Sequence, residues 1–273
     1  MNFAFSGTKV RPQRARWTPR YDVSGKLWIG RRARQEDVLK VKFATDPGHA
    51  ILVLADGMGG HTSGQVASKL VAGNVFGNLK ADAPQLLAAE HHLPGYLKSA
   101  AERTNDGIRE TVAQNPELSG MGSTLVGLVL SQDRLYWVSV GDSPLYRLRK
   151  GELTRLNQDH SMAAEIDFMV KNGLISPESG RDHPDRNCLK SAVTGLPMKL
   201  VDCPVQPMTV EAGDLYILAS DGLQTLPDDR IRDIAWQQRG ADAATIAVSL
   251  ITAVMHENKP DQDNTSVAII KTI

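Results

Sequence analysis

Short, fully apolar runs alternate along this chain with stretches in which apolar residues have helical spacing. Apolar runs that stop at Asp-Gly or Ser-Asp-Gly are typical of buried strands. Two pairs of strand-like segments separated by short polar turns predict β-hairpins. The predicted strands are 50–55, 124–130, 134–140, 145–149, 152–156, 215–219 and 265–271.

Five further stretches place apolar residues three or four positions apart and predict helices. Pro84, Pro94 and Gly95 interrupt the chain between the first two, so we expect these helices to stop short of them. Asp228 and Asp242 are candidate N-caps, although the first of the two helices could equally begin at Pro227. The predicted helices are 64–80, 96–114, 161–172, 228–239 and 242–257.

The grouping of these elements predicts the fold class. Strands joined in hairpins, with helices in separate groups, favour an α+β layered fold over a parallel βαβ fold. Residues 1–24 contain two prolines and show no clear period, which indicates an N-terminal arm or edge segment. Residues 25–273 then form a single domain, within the usual size range.

Composition restricts the function mainly by exclusion. Lys and Arg number 31 and so do Asp and Glu, so the basic excess of a nucleic-acid-binding protein is absent and the arginines of residues 11–20 predict a solvated arm. No apolar run approaches the roughly 18 residues of a membrane span, and no secretory signal is recognisable. Cys188 and Cys203 have no zinc or disulfide spacing, which favours free thiols and a cytoplasmic location.

Four aspartates occupy equivalent places in this pattern, beside the end of a strand. Asp56, Asp142 and Asp221 follow apolar runs, and Asp263 precedes the last one. Each alone could be a turn residue. If the strand ends meet at one cleft, the carboxylates repel each other unless a cation lies among them. Oxygen ligands without His or Cys favour Mg²⁺ or Mn²⁺ over zinc, so the pattern predicts such a metal site.

Six short motifs surround these aspartates, in this order: Arg-Ala-Arg-Gln-Glu-Asp (32–37), Ala-Asp-Gly-Met-Gly-Gly-His (55–61), Gly-Met-Gly-Ser-Thr-Leu (120–125), Val-Gly-Asp-Ser (140–143), Ala-Ser-Asp-Gly-Leu (219–223) and Asp-Asn-Thr (263–265). With these motifs the chain resembles the bacterial branch of the metal-dependent protein phosphatases, the type 2C family. The resemblance implies an α/β/β/α sandwich of two mainly antiparallel sheets flanked by helices. It also implies hydrolysis of phosphoserine and phosphothreonine in proteins by a metal-activated water.

The resemblance assigns a metal-binding role to each aspartate. Asp56 would bridge two Mn²⁺ or Mg²⁺ ions, and the backbone carbonyl of Gly57 would bind one of them. Asp221 and Asp263 would complete the binding of the other ion. Asp142, together with Asp221, would form a third metal site.

Residues of the first motif would lie around these metals. Glu36 and Asp37 would bind the ions through water or hold the direct ligands in place. Arg32 fits the position of the phosphate-binding arginine, whose guanidinium would contact two phosphoryl oxygens. Arg34 is the rival candidate, because residues two apart on a strand share a face. Arg32, and the ligands Asp56 and Asp221, are the predicted catalytic residues.

The chain also departs from the family pattern. Met58 stands where other branches have a histidine proposed as the general acid, which leaves His61 and a metal-bound water as candidates. Pro144 replaces an arginine that often follows Gly-Asp-Ser, which puts a local salt bridge in doubt. Residues 158–195 correspond to the mobile flap of the family, and a loop beside a cleft often sets substrate choice.

The resemblance implies phosphorylated protein substrates and an opposing bacterial Ser/Thr kinase. One alternative is a phosphoprotein-binding pseudophosphatase, which would need a lost metal ligand, and the four aspartates are all present. Another is a phosphohydrolase of small phosphoesters, for which the same metal centre would serve. A nucleotide-dependent enzyme lacks support, since the phosphate-binding G-x-x-x-x-G-K-[ST] loop does not occur.

Overall fold

The computed structural model describes residues 20–43, 48–60 and 62–273. The predicted arm therefore lies outside the described residues, apart from residues 20–24, and so does the candidate acid His61. Residues 21–24 belong to the first strand, which begins at Tyr21 and lies at the edge of its sheet. No helix in the described part of the chain has the length and apolar character needed to cross a bilayer.

Strands and helices of the described residues are numbered separately, in chain order. The strands are β1 (Tyr21–Trp28), β2 (Asp37–Phe43), β3 (His49–Met58), β4 (Gly122–Ser123), β5 (Leu125–Ser131), β6 (Arg134–Val140), β7 (Leu145–Arg149), β8 (Glu152–Arg155), β9 (Met208–Thr209), β10 (Leu215–Ala219) and β11 (Thr265–Thr272). The α-helices are α1 (Ser63–Ala88), α2 (Leu93–Gln114), α3 (Ala163–Lys171), α4 (Pro177–Arg181), α5 (Asp228–Gln237) and α6 (Ala243–Glu257).

The strands form two sheets in which each described pair is antiparallel. The first sheet has the order β1-β11-β10-β7-β8, and the second has the order β2-β3-β5-β6-β9, with β4 paired to β3. The hairpins β5–β6 and β7–β8 confirm the two predicted from the sequence.

Alternating side chains hold the layers together. On β3, Val53 packs with the core under α1 and α2, whereas Leu54 packs between the sheets. On β10, Ile217 packs with α5 and α6, whereas Leu218 enters the same intersheet core. Successive side chains of a strand point to opposite faces, so strands that are apolar throughout can supply two cores. The result is the α/β/β/α sandwich that the resemblance implies.

The sequence predicts that the first two helices stop short of the prolines, and this prediction is wrong. Pro84 lies inside α1, which continues to Ala88. Beyond this proline, buried Leu86 packs on the same core as Leu79, which precedes it. This burial offsets the hydrogen bond that proline cannot donate. Pro94 is within the first two residues of α2, where an N–H has no intrahelical partner in any case.

Other element boundaries also differ from the predictions. Pro227 occupies the N-cap position of α5, so Asp228 is its first helical residue and not its cap. Asp242 does cap α6, because its side chain accepts a hydrogen bond of 2.8 Å from the Thr245 N–H. The sequence pattern does not predict α4 or the strands β1, β2, β4 and β9.

Candidate active site

Strand ends from both sheets meet at one cavity of about 930 Å³. Asp56 is near the end of β3 and Asp142 follows β6, both in the second sheet, whereas Asp221 follows β10 and Asp263 precedes β11 in the first. Asp37 is directly opposite Asp56 in the β2–β3 pairing and is buried behind the cavity. The other predicted site residues all line this cavity: Arg32, Glu36, Asp56, Gly57, Asp142, Asp221 and Asp263.

The buried carboxyl groups disfavour each other's ionisation. Burial, followed by the charges of Asp37, Asp221 and Asp142, raises the pKa of Asp56 well above its usual value. Burial and the charges of Asp142 and Asp263 raise the pKa of Asp221 to about 7. Burial likewise raises the pKa of Asp37 to about 6 and that of Asp142 to about 6. A cation among these groups would favour their charged forms.

The oxygen atoms present at the site fit a divalent metal. Asp37 Oδ1 and Asp221 Oδ1 are buried and lack a hydrogen-bond partner in the described part of the chain. Such oxygens are costly to leave unpaired, and they suit the hard cations Mg²⁺ and Mn²⁺. Among residues 20–43, 48–60 and 62–273, no three acidic, His or Cys side chains are placed together closely enough to hold a metal ion as they stand. Asp263 accepts a hydrogen bond of 2.6 Å from Arg32 Nη2.

Hydroxyl groups hold these aspartates in place. The Ser220 hydroxyl donates to Asp37 Oδ2 over 2.8 Å. The backbone N–H of Asp56 donates to Thr124 Oγ1 over 3.0 Å, and the Thr124 and Ser143 hydroxyls are 2.8 Å apart. Sequence reasoning assigns no role to these residues. The available signal is that each belongs to one of the six motifs.

The Asn264 side chain holds the loop that carries Arg32 and Glu36 through hydrogen bonds to its backbone. Its Oδ1 accepts from the Glu36 N–H over 2.7 Å, and its Nδ2 donates to the carbonyl oxygens of Ile29 and Arg34 over 2.8 and 2.9 Å. Asn264 directly follows the predicted ligand Asp263. One Asp-Asn pair thus links a candidate metal ligand to the loop with the candidate phosphate-binding residue, a function of Asn264 that sequence reasoning misses.

Gly57 lies where β3 passes very close to the start of α1. A Cβ atom at this position would lie 2.1 Å from the carbonyl oxygen of Gly64, so another residue type would displace the backbone. The Gly57 N–H donates to the Glu36 carbonyl over 3.1 Å. Glycine therefore allows β3, α1 and the Glu36 loop to meet beside Asp56.

The structure distinguishes the two candidate arginines by position. The Arg32 side chain is 55% exposed and lines the cavity with the aspartates. Arg34 is exposed and is not among the residues that line it. The charge of Arg32 also acts more strongly on Glu36 than that of Arg34 does. This placement favours Arg32, and its role as the phosphate ligand stays a prediction.

A guanidinium group lies beside Asp142 even though Pro144 replaces the arginine of the family pattern. Arg155, at the end of β8, donates from Nη2 to the Asp142 carbonyl over 2.6 Å and from Nη1 to Asp159 over 2.8 Å. Asn157, two residues after Arg155, accepts a hydrogen bond from the Leu145 N–H over 2.8 Å. The segment at the end of β8 therefore contacts both ends of the connection between β6 and β7.

The predicted flap, residues 158–195, carries α3 and α4 and borders the cavity. Its base is closed by hydrogen bonds from the Met162 N–H to the Cys188 carbonyl (2.9 Å) and from the Lys190 N–H to the His160 carbonyl (2.7 Å). Residues 187–192 and Thr194 line the cavity beside the aspartates. The last part of this segment therefore forms part of the cavity wall.

Comparison with known proteins identifies the family of this chain. Residues 25–238 match the protein phosphatase 2C family, and the chain belongs to this family. It is 36% identical to the serine/threonine protein phosphatase PstP of Mycobacterium tuberculosis over 223 residues, which are 81% of this chain and 40% of PstP. It is 33% identical to the serine/threonine phosphatase stp of Listeria welshimeri over 199 residues, covering 72% of this chain and 76% of that protein.

Solved structures confirm the architecture. The crystal structure of M. tuberculosis PstP/Ppp superposes with a TM-score of 0.73 and 33% identity, covering 93% of this chain and 99% of that one. The PstP catalytic domain in complex with two manganese ions gives a TM-score of 0.70 and 32% identity, covering 94% and 99%. This chain spans about 40% of the length of the curated PstP sequence.

Proposed function

We propose that this chain catalyses the metal-dependent hydrolysis of phosphoserine and phosphothreonine in proteins. One observation carries the proposal. Asp56, Asp142, Asp221 and Asp263, from the ends of strands in two sheets, line a single cavity that also contains Arg32. Family membership and the names of the relatives support it.

The proposed roles follow the positions of the side chains. Asp56, Asp221, Asp263 and the Gly57 carbonyl would hold two metal ions, with Glu36 and Asp37 beside them. Bound Mn²⁺ or Mg²⁺ would supply Lewis acidity and a water of lowered pKa. The structure of the PstP catalytic domain in complex with two manganese ions supports a centre of two metal ions. Arg32 would hold and orient the phosphate group through two parallel N–H contacts.

We also propose a third metal ion, bound by Asp142 and Asp221. Both residues line the main cavity and also a neighbouring, more polar cavity of about 580 Å³. Asp142→Asn should weaken one Mn²⁺ site while leaving two intact, as measured by calorimetric titration. If all sites weakened equally, Asp142 would belong to the central pair.

We further propose phosphoprotein substrates, an opposing Ser/Thr kinase and a signalling role in the cytoplasm. The relatives named as serine/threonine phosphatases support the substrate class. Cys188 and Cys203 are unpaired, which supports a reducing compartment.

Phosphate release from a phosphothreonine peptide tests the proposal directly. The wild-type protein should turn over the peptide with Mn²⁺ and stop when EDTA is added, and Asp221→Asn should be inactive at the same metal concentration. Peptide binding without turnover would indicate the pseudophosphatase alternative. Hydrolysis of p-nitrophenyl phosphate without hydrolysis of any phosphopeptide would indicate the phosphohydrolase of small phosphoesters.

A further inference from the structure

A large apolar side chain stands exposed on the wall of the active-site cavity. Leu196 is 69% exposed and lines the same cavity as Asp56 and Asp221. Pro197 and Met58 add further apolar surface to this cavity. A single exposed leucine is ordinary on a protein surface, so the way in which Leu196 is held decides its significance.

A buried asparagine fixes the backbone on both sides of Leu196. Asn105 lies on α2 and is only 6% exposed. Its Oδ1 accepts from the N–H groups of Thr194 and Gly195 over 3.2 and 2.9 Å, and its Nδ2 donates to the Leu196 carbonyl over 2.8 Å. The Asn105 side chain thus forms three hydrogen bonds with the backbone of three consecutive residues. These bonds fix the backbone at Leu196 and so the direction in which its side chain projects.

The rest of the loop 194–200 is anchored as well. Gly195 has φ +83°, and a Cβ atom there would lie 2.8 Å from the Arg109 Cα, so the loop rests directly on α2. The Ser191 hydroxyl donates to the Leu200 carbonyl over 2.8 Å and accepts from the Leu200 N–H over 3.1 Å. Met198 packs on the core under α1 and α2. Leu196 is therefore an exposed residue on a fixed loop, which cannot easily fold back to bury it.

We infer that Leu196 is a specificity-determining residue, which contacts an apolar side chain next to the phosphorylated residue of a protein substrate. Asn105 is the positioning residue that presents it. The cavity is far larger than a phosphate group needs, so the side chains that flank the phosphorylated residue would reach its wall. Covering Leu196 with an apolar side chain removes both surfaces from water. This inference rests on the proposed function.

The test uses phosphothreonine peptides that carry either Leu or Ser at each of the three positions on either side. The wild-type protein with Mn²⁺ should prefer Leu at one of these positions. Leu196→Ser should reduce kcat/KM for that peptide by roughly three- to tenfold, because partial burial of one apolar side chain is at stake. The rates for the matching Ser peptide and for p-nitrophenyl phosphate should not change. Leu174→Ser is the matched control, because Leu174 is 68% exposed and outside the cavity lining.

Two variants of Asn105 test the positioning role. Asn105→Ala should lose the same peptide preference while keeping turnover of p-nitrophenyl phosphate, and Asn105→Asp, which keeps the two accepted hydrogen bonds, should retain part of it. If Leu196→Ser keeps the full preference, or if Leu174→Ser loses it equally, the inference is wrong while the proposed function stands. If the wild-type protein hydrolyses neither the peptides nor p-nitrophenyl phosphate with Mn²⁺, the proposed function itself fails.

Discussion

Replacing Arg32 by alanine should weaken substrate turnover and strengthen metal binding at the same time. The Arg32 guanidinium lines the cavity and its Nη2 lies 2.6 Å from Asp263 Oδ2. Asp263 is also a proposed metal ligand, so Arg32 competes with the metal for this carboxylate. The variant therefore removes a proposed phosphate contact and releases a proposed metal ligand.

The two effects differ in size. A charge-assisted contact with the phosphate contributes about 1.5–3 kcal/mol, which corresponds to a loss of roughly 10- to 150-fold in kcat/KM. The Arg32–Asp263 pair is 55% and 41% exposed, and exposed pairs contribute about 0–1 kcal/mol. Release of Asp263 should therefore tighten metal binding by no more than about fivefold. At saturating Mn²⁺ the loss of the phosphate contact dominates.

Initial rates on a phosphopeptide at saturating Mn²⁺, together with calorimetric Mn²⁺ titrations, separate these effects. Arg32→Lys should recover only part of kcat/KM, because an ammonium group lacks the two parallel N–H groups. Arg34→Ala is the matched control and should behave as the wild type. If Arg34→Ala shows the loss and Arg32→Ala does not, the phosphate ligand is Arg34. Weaker Mn²⁺ binding in Arg32→Ala would contradict the proposed competition for Asp263.

Three further predictions follow from the buried charges. Asp56→Asn and Asp221→Asn should each lower kcat by roughly two orders of magnitude or more, because each removes a central ligand of a two-metal site; near-normal turnover at millimolar Mn²⁺ would contradict their roles. In EDTA, the folded state binds the Asp221 proton more tightly than the unfolded state, with a pKa of about 7 against 3.8, so wild-type stability should fall between about pH 4 and pH 7. Asp221→Asn lacks this titration, so urea unfolding should show its stability rising relative to wild type over that range, and a constant difference would refute the shift. Asp214→Ala should lower the free energy of unfolding by about 3 kcal/mol, because buried Asp214 pairs with Arg149 over 2.6 Å. Arg232→Ala is the control, because it breaks an exposed pair with Asp233 and should lower the free energy of unfolding by less than about 1 kcal/mol.

Much of the fold could be predicted because the local pattern and the tertiary contacts agree. The hairpins β5–β6 and β7–β8 lie within one sequence window each, so their strands and turns are visible in the pattern. By contrast, β1 pairs with β11 at the far end of the chain. Its strand character depends on that partner, and the polar residues of its first half conceal it. The predicted end of α1 before Pro84 is wrong for the same reason. Core contacts with residues that are distant in the sequence stabilise the helical turn after this proline.

The sequence by itself determined which residues could form a metal site. Asp-Gly, Gly-Asp-Ser and Asp-Asn at strand ends combine turn chemistry with oxygen ligands, and both properties can be read from local residue order. The tertiary structure decided which of these carboxylates are buried together, and so how far the pKa of Asp56 and of Asp221 rises. It also decided that Arg32 bonds Asp263 and that Asn105 holds Leu196 from 91 residues away. Distances, burial and shared partners between remote segments exist only after the sheets have packed, and no local pattern encodes them.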